Sequence, residues 1–171
     1  MFKILLNFFR NLFLNKKVRG NEIYLYEDYV IKIAANNFNR GLIFYDSIFN
    51  LKQEIKALKT LSSNKFFPKI LHENLNYLIL NNCGKVATSK QLITRKKDLK
   101  QIVNILDKKK IIHRDLKKQN ILFDGKKLVL IDFEWALVKG KGVKKPPSQT
   151  KHNHLSINSN KLLMEELYNS L

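Results

Sequence analysis

The chain has 171 residues, of which 44% are apolar and 11% aromatic, and this composition favours a folded protein over a disordered one. Its length allows one hydrophobic core and is short for a protein with two lobes. The net charge of +18 suggests a polyanionic partner such as nucleic acid, a membrane surface or a nucleotide, although a solvated lysine-rich surface also accounts for it. A single cysteine, Cys83, excludes an internal disulfide and fits a reducing compartment.

Residues 1–18 have the apolar spacing of an amphipathic helix. Large apolar side chains recur every three or four positions, at Phe2, Leu5, Leu6, Phe9, Leu12 and Phe13. The segment is too short to span a bilayer, and it lacks the unbroken apolar centre and the cleavage site of a signal peptide. Two interpretations stay open: a helix packed on the folded domain, or an interfacial helix on an anionic membrane, since five cations and no acid precede Glu22.

Residues 22–35 predict two strands around a turn at Glu27-Asp28. The second strand, Tyr29 to Ala34, is apolar apart from Lys32. A lysine inside an apolar strand is costly unless its ammonium reaches an anion. Lys32 is therefore either a partner for a negative group or an edge-strand side chain that faces water.

Residues 44–61 have helical periodicity, and a glutamate lies beside their apolar stripe. Glu54 is next to the stripe, which consists of Ile48, Leu51, Ile55 and Leu58. A short strand follows over residues 76–80 and ends at the break Asn81-Asn82-Cys83-Gly84. Residues 91–109 then predict a basic amphipathic helix, whose buried side is formed by Leu92, Leu99, Ile102, Val103 and Leu106.

The stretch 111–136 carries most of the chemistry. It opens with Ile-Ile-His-Arg-Asp-Leu-Lys-Lys-Gln-Asn, in which Asp115 and Asn120 are five positions apart, and its apolar run near the end contains Asp132. Between them, two short apolar strands flank Asp124-Gly125, a strong hairpin signal. Such a hairpin brings the three polar side chains to one end. That geometry suits phosphoryl transfer, which needs an acceptor-positioning carboxylate and oxygen ligands for magnesium.

The last part of the chain is a basic loop followed by a helix. Residues 139–154 hold two glycines, a Pro-Pro pair and five lysines, which is typical of a loop. Residues 156–171 predict a helix with an apolar stripe of Leu162, Leu163, Leu167 and Leu171.

These motifs resemble those of the protein-kinase superfamily over residues 22–136, and they occur in the family's order. Residues 113–120 fit the catalytic-loop pattern H-R-D-L-x-x-x-N, and Asp132-Phe133-Glu134 occupies the place of D-F-G. Lys32 resembles the lysine of the strand-three V-A-I-K motif, and Glu54 resembles the C-helix glutamate that pairs with it. The resemblance implies an α+β fold of the minimal two-lobed protein-kinase-like type, with a reduced C-terminal lobe.

The same resemblance implies ATP and Mg²⁺ as cofactors and a role for each matched residue. Three residues would be catalytic: Asp115, Lys117 and Asn120. Four would bind the nucleotide and its metal: Lys32, Glu54, Asn120 and Asp132. Asp115 would orient the acceptor hydroxyl and Lys117 would lie near the transferred phosphate, while Asn120 and Asp132 would hold Mg²⁺.

Three departures from the kinase pattern matter. No G-x-G-x-x-G precedes Lys32, and Val18-Arg19-Gly20-Asn21 is at best a reduced phosphate loop, so we expect weak nucleotide binding. Glu134 replaces the D-F-G glycine, as in the choline and aminoglycoside kinase branch and in some bacterial sugar and lipopolysaccharide kinases. Only 37 residues follow Glu134, without an A-P-E motif, which leaves no room for helices that dock peptides.

We predict a basic helix at residues 1–20, a small lobe at 21–80 and a reduced helical lobe at 81–171. The predicted function is ATP- and Mg²⁺-dependent phosphorylation of a hydroxyl, foremost on a Ser or Thr of a protein. A small-molecule, sugar or lipopolysaccharide kinase and a nucleotide-binding pseudokinase stay open as alternatives, so the acceptor is a protein or a small-molecule or glycolipid hydroxyl. Nucleic acid is the least favoured partner. We expect a cytoplasmic location, with peripheral contact to the inner membrane surface as an alternative.

Overall fold

An antiparallel four-stranded sheet forms the amino-terminal part of the structure. The computed structural model describes residues 21–34, 38–40, 43–45, 47–142 and 159–171. Within them, the sheet is built in the spatial order β1 (Asn21–Leu25), β2 (Tyr29–Ala34), β6 (Tyr77–Asn81) and β5 (Ile70–Glu73). Lys32 lies in β2, opposite Ile23 of β1 and Leu78 of β6, so it belongs to a central strand and not to an edge strand.

The helix that carries Glu54 packs against this sheet. β3 (Phe38–Arg40) and β4 (Ile43–Tyr45) form a separate hairpin, and α1 (Ser47–Leu61) begins only after it. The predicted helix start at residue 44 is therefore wrong, because Phe44 pairs with Asn39 across the hairpin. The predicted apolar stripe is rotated as well, since Ile48 is 39% exposed whereas Glu54 is fully buried between the turns of Leu51 and Leu58.

The predicted helix at residues 91–109 is in fact two helices, α2 (Ser89–Thr94) and α3 (Lys96–Lys108). Arg95 separates them because its backbone, at φ −103° and ψ 27°, leaves the helical conformation. A capping box begins α2, since Thr88 and Gln91 each accept a hydrogen bond from the other's backbone N–H. The apolar side chains predicted to be buried are buried: Leu92, Leu99, Ile102, Val103 and Leu106.

The predicted hairpin around Asp124-Gly125 is present. It consists of β9 (Ile121–Phe123) and β10 (Leu128–Leu130), and β7 (Lys85–Val86) joins it beside β9. Gly125 has a φ of 93°, a left-handed conformation that favours glycine. Two shorter strands pair with each other: β8 (Ile111–Ile112), which precedes the hairpin in the sequence, and β11 (Leu137–Val138), which follows it. The residues before β9 and after β10 are thereby brought together, and Ile131 N donates to Asn120 O at 2.9 Å.

The last helix, α4 (Asn160–Asn169), begins at the N-cap Ser159. Its buried side is formed by Asn160, Leu163 and Leu167, and Leu162 is 51% exposed. The prediction that Leu162 belongs to the apolar stripe is therefore wrong, because a buried asparagine takes the position one turn before Leu163. The predicted start at residue 156, most of the basic loop at 139–154 and the helix at 1–18 lie outside the described residues, and these predictions stay untested.

One continuous hydrophobic core joins the sheet to the helices. It includes side chains from every layer of the described structure, among them Leu58, Leu78, Ile102, Ile121, Phe133 and Leu163. Burying large apolar side chains is worth about 1.5–3 kcal/mol each, so this shared core holds Lys32 and Glu54 in place relative to the loop at 113–120. None of the described helices combines the length and the apolar character needed to cross a membrane.

Candidate active site

Lys32 and Glu54 form a buried ion pair. Lys32 Nζ donates to both carboxylate oxygens of Glu54, at 2.9 and 2.8 Å. The side chain of Glu54 is fully buried and that of Lys32 is 7% exposed. The pair that the resemblance to kinases predicted is therefore present, and it ties α1 to the centre of the sheet.

Two further carboxylates approach the same ammonium from the segment after β10. Asp132 Oδ1 lies 3.2 Å from Lys32 Nζ, and Glu134 Oε1 lies 3.8 Å from it. Burial alone would lower the pKa of Lys32, but the carboxylates of Asp132, Glu54 and Glu134 outweigh burial and raise the pKa well above its usual value. Lys32 is thus a permanent cation that joins the sheet, α1 and the segment at 132–134.

The pKa values of Glu54 and Asp132 are shifted in opposite directions. Burial raises the pKa of Glu54 to about 7, against the opposing effect of Lys32. For Asp132, burial acts in the same direction, but the Lys32 ammonium outweighs it and keeps the pKa below its usual value. One oxygen from each of Glu54, Asp132 and Glu134 lies within 4.8 Å of the others, a spacing that can hold a metal ion. From the sequence, Glu134 was noted only as a departure from D-F-G. Its position two residues after Asp132 could have indicated that it also lies near Lys32.

The loop after β8 holds Asp115 between two donors. Lys117 Nζ lies 2.7 Å from Asp115 Oδ2. Asn120 Nδ2 donates both to this oxygen, at 2.9 Å, and to the backbone oxygen of Asp115, at 2.8 Å. Both contacts use the amide nitrogen of Asn120, so its Oδ1 is the atom of this side chain that can bind a cation. The structure therefore brings the three residues predicted as catalytic into direct contact.

A buried histidine connects this loop to the segment that carries Asp132. His113 Nε2 donates to the backbone oxygen of Ile131 at 3.0 Å, and His113 Nδ1 accepts from the backbone N–H of Asp115 at 3.3 Å. Arg114 and Asp132 have φ values of 66° and 69°, an uncommon left-handed conformation for residues other than glycine. The imidazole thus holds two strained backbone segments side by side.

Sequence reasoning missed Asn160, which supports the loop from α4. Its Oδ1 accepts from the backbone N–H of His113 at 3.0 Å. Its Nδ2 donates to the backbone oxygen of Ile111 and to Asp107 Oδ1, each at 2.7 Å. The sequence does not predict this role for Asn160, because its hydrogen-bond partners are about 50 residues away in the chain.

We predict that His113 makes the protein less stable in mild acid. Burial lowers the pKa of His113 below its usual value of 6.5, so the unfolded chain binds a proton that the folded chain does not accept. The contribution of His113 to the free energy of unfolding should therefore fall as pH decreases from 7.5 to 5.5, by at most ~1.4 kcal/mol per pH unit. Glu54 acts in the opposite direction over this range in wild type and variant alike, because its folded pKa of about 7 lies above its unfolded value. Chemical denaturation of wild type and His113→Gln at pH 7.5 and at pH 5.5 measures the contribution of His113.

The stability of His113→Gln relative to wild type should therefore be higher at pH 5.5 than at pH 7.5, because only wild type loses the contribution of His113. The matched control His72→Gln removes an exposed imidazole and should keep the wild-type difference. An equal pH dependence in wild type and His113→Gln would contradict the prediction.

A sheet lysine paired with a helix glutamate, beside a loop in which Asp115, Lys117 and Asn120 are in contact, defines a protein-kinase-like fold. The chain belongs to the RIO domain family, whose model matches residues 27–141. The match contains all of the residues of the candidate site except Asn160. No curated protein matches the chain.

Solved structures of WbdD have the same fold. The high-resolution structure of WbdD superposes with a TM-score of 0.59 at 20% identity, over 91% of this chain and 36% of that chain. The crystal structure of monomeric WbdD superposes with a TM-score of 0.55 at 23% identity, over 70% of this chain and 33% of that chain. WbdD is described as a bifunctional kinase-methyltransferase. This chain spans only about a third of the length of these WbdD chains, and at this identity the likeness shows the fold alone.

Proposed function

We propose that this protein is an ATP- and Mg²⁺-dependent kinase that phosphorylates a hydroxyl group, with a Ser or Thr of a protein as the acceptor. The observation that carries the proposal is the 3.2 Å contact between Lys32 and Asp132. It joins the lysine that would hold nucleotide phosphates to the carboxylate that would hold their metal. The match to the RIO domain and the kinase-like fold support the same reaction class.

The donor set around Asp132 fits a magnesium ion. Mg²⁺ prefers hard oxygen ligands, and Asp132 and the Oδ1 atom of Asn120 supply a carboxylate and an amide oxygen. The depressed pKa of Asp132 keeps its carboxylate ionised at neutral pH. When bound, the metal would neutralise charge on the nucleotide phosphates. Lys32 would hold a phosphate oxygen while Glu54 keeps its ammonium in place.

Asp115 is placed to orient the acceptor. Its carboxylate is held by Asn120 and Lys117, so an incoming hydroxyl would meet a fixed hydrogen-bond acceptor. Lys117 would then be close to the transferred phosphate. The short contact between Asp115 and Lys117 favours a Ser/Thr-type acceptor, because the resemblance places such a lysine in many Ser/Thr-type kinases.

Two alternative functions have an observation behind them. A small-molecule, sugar or lipopolysaccharide kinase is favoured by Glu134, which replaces a glycine and approaches Lys32. A pseudokinase is favoured by the turn between β1 and β2, which consists of Tyr26, Glu27 and Asp28 and offers no glycine to approach phosphates. The contacts among Lys32, Glu54, Asp115, Asn120 and Asp132 favour an active enzyme over the pseudokinase.

Transfer of radiolabelled phosphate from ATP tests the proposal. The full chain would be offered itself, generic proteins, lipopolysaccharide and choline-like alcohols, with Mg²⁺ present. We expect label on protein Ser or Thr, identified by phosphoamino-acid analysis, and no label with Asp115→Ala prepared in the same way. Label on lipopolysaccharide or an alcohol alone would favour the small-molecule alternative. No label on any acceptor, with ATP binding detected by calorimetry, would favour the pseudokinase.

A further inference from the structure

A cavity of about 1010 Å³ lies where α3 ends and α4 begins, and none of the residues proposed to bind the nucleotide, the metal or the acceptor lines it. Four separate segments line it, one of which supplies Thr60 of α1. The end of α3 supplies Lys108, Lys109 and Lys110, the residues after β11 supply Lys139, and the start of α4 supplies Ser159 and Asn160. Among the described residues that line it, Asp107 is the one carboxylate, and it is bonded to Asn160 Nδ2. The cavity is therefore strongly cationic.

Two of the lysines have an uncommon backbone conformation. Lys110 has a φ of 53° and Lys139 a φ of 52°, both in the left-handed region that lysine rarely adopts. Lys110 follows the C-cap of α3, and Lys139 lies in the turn between Val138 and Lys141, two places where this conformation is found. The backbone N–H of Lys139 donates to the backbone oxygen of Lys110 at 2.7 Å, which joins the two segments. The fold thus keeps the backbones of these two lysines next to each other.

A purely structural role accounts for only part of this arrangement. Lysines near the C-terminus of a helix offset its negative end, and this explains Lys108 and Lys109 at the end of α3. It does not explain Lys139, which comes from a different segment. The start of the ten-residue helix α4 adds backbone N–H groups, which also favour an anion.

We propose that this cavity binds a small oligophosphate, a compact molecule with several phosphate groups. Its volume is at the upper end of the range of about 300–1,000 Å³ that is typical of small-molecule sites. Lysine ammonium groups bind phosphate as point charges, and four of them line the cavity. A concave site of this size fits a compact anion better than an extended nucleic acid, which needs a basic stripe along a surface.

The cavity is connected to the loop that carries Asp115. Asn160 lines the cavity, and its Oδ1 accepts from the backbone N–H of His113. Ile111, whose backbone oxygen accepts from Asn160, lines the cavity too. A bound anion would therefore stabilise the hydrogen bond at His113 N–H. Its effect on phosphate transfer rests on the proposed function, whereas the binding itself does not.

The test is calorimetric titration of the full chain with inorganic tripolyphosphate in 150 mM salt. The variant Lys110→Asn/Lys139→Asn removes two cations, and asparagine tolerates the left-handed conformation better than most residues, so the fold is retained. We expect its affinity to be at least about tenfold weaker than that of wild type, because two charge-assisted contacts are lost. Hydrogen exchange at the His113 amide should slow when wild type binds the probe.

Exposed lysines outside the cavity provide the control. Lys85→Asn/Lys126→Asn removes the same charge and should bind tripolyphosphate like wild type. Equal losses in both double variants would overturn the proposal, because the binding would then follow the net charge alone. Absence of binding to wild type, or binding lost with Lys32→Met and kept in Lys110→Asn/Lys139→Asn, would overturn it too. Binding of single-stranded RNA through Lys110 and Lys139, without binding of tripolyphosphate, would also overturn the proposal. None of these results depends on phosphate transfer.

Discussion

Replacing Asp132 by asparagine is expected to slow phosphate transfer by about a hundredfold or more, because a metal ligand and its charge are lost where charge must be neutralised. Asparagine has nearly the same shape, and Asp132 is partly exposed, so the fold should persist. Asp115→Ala should lower the rate by a similar factor, since a positioned acid or base contributes about 10²–10⁴. Initial rates at saturating ATP and Mg²⁺ measure both effects.

The matched control for Asp132→Asn is Glu165→Gln, which removes a carboxylate charge from the exposed face of α4. It should transfer phosphate at the wild-type rate. Thermal unfolding of all the variants shows whether a lost rate reflects a lost fold. Wild-type turnover by Asp132→Asn would show that the magnesium assignment is wrong.

Replacing Lys32 by methionine is expected to lower the free energy of unfolding by about 3–5 kcal/mol and to abolish transfer. Removing one partner of a buried ion pair leaves the other charge uncompensated, which has this cost. Glu54 is fully buried, and its pKa is already raised to about 7 with Lys32 present. Chemical denaturation at pH 8 measures the loss of stability.

The pH dependence and a double variant separate this cause from simple misfolding. The folded pKa of Glu54 lies above its unfolded value, so its contribution to stability is present below the unfolded value and is lost as pH rises through about 7. Without Lys32 the folded pKa rises further, and Lys32→Met should be less destabilised at pH 6 than at pH 8. Lys32→Met/Glu54→Leu should regain much of the stability and none of the transfer. A stable Lys32→Met at pH 8 would contradict the interpretation of the pair.

The candidate site could be predicted from the sequence to the extent that its residues belong to short motifs. Asp115, Lys117 and Asn120 lie within six positions of one another, and the Asp124-Gly125 turn fixes how Asp132 returns to them. Local spacing therefore determines most of this geometry. The Lys32–Glu54 pair needed the resemblance, because a strand lysine and a helix glutamate have many other possible partners.

The sequence was less informative where two ways of forming structure compete. Residues 43–45 continue the apolar pattern of the helix after them, yet they form a strand because β3 is available as a partner. Arg95 is an ordinary helix residue by propensity, so no local pattern predicts that its backbone leaves the helical conformation there. Apolar periodicity also placed Ile48 and Leu162 on buried faces, which polar residues occupy instead.

The sequence by itself determined the class of fold, the order of its motifs and the residues that can take part in phosphoryl transfer, because each depends on neighbours close in the chain. Only the tertiary structure decided that Glu134 joins the cluster around Lys32, that Asn160 supports His113, and that Lys110 and Lys139 meet at one cavity. These contacts join residues far apart in the sequence. They form because the shared core brings the sheet, the hairpin and α4 together, and no local pattern encodes that packing.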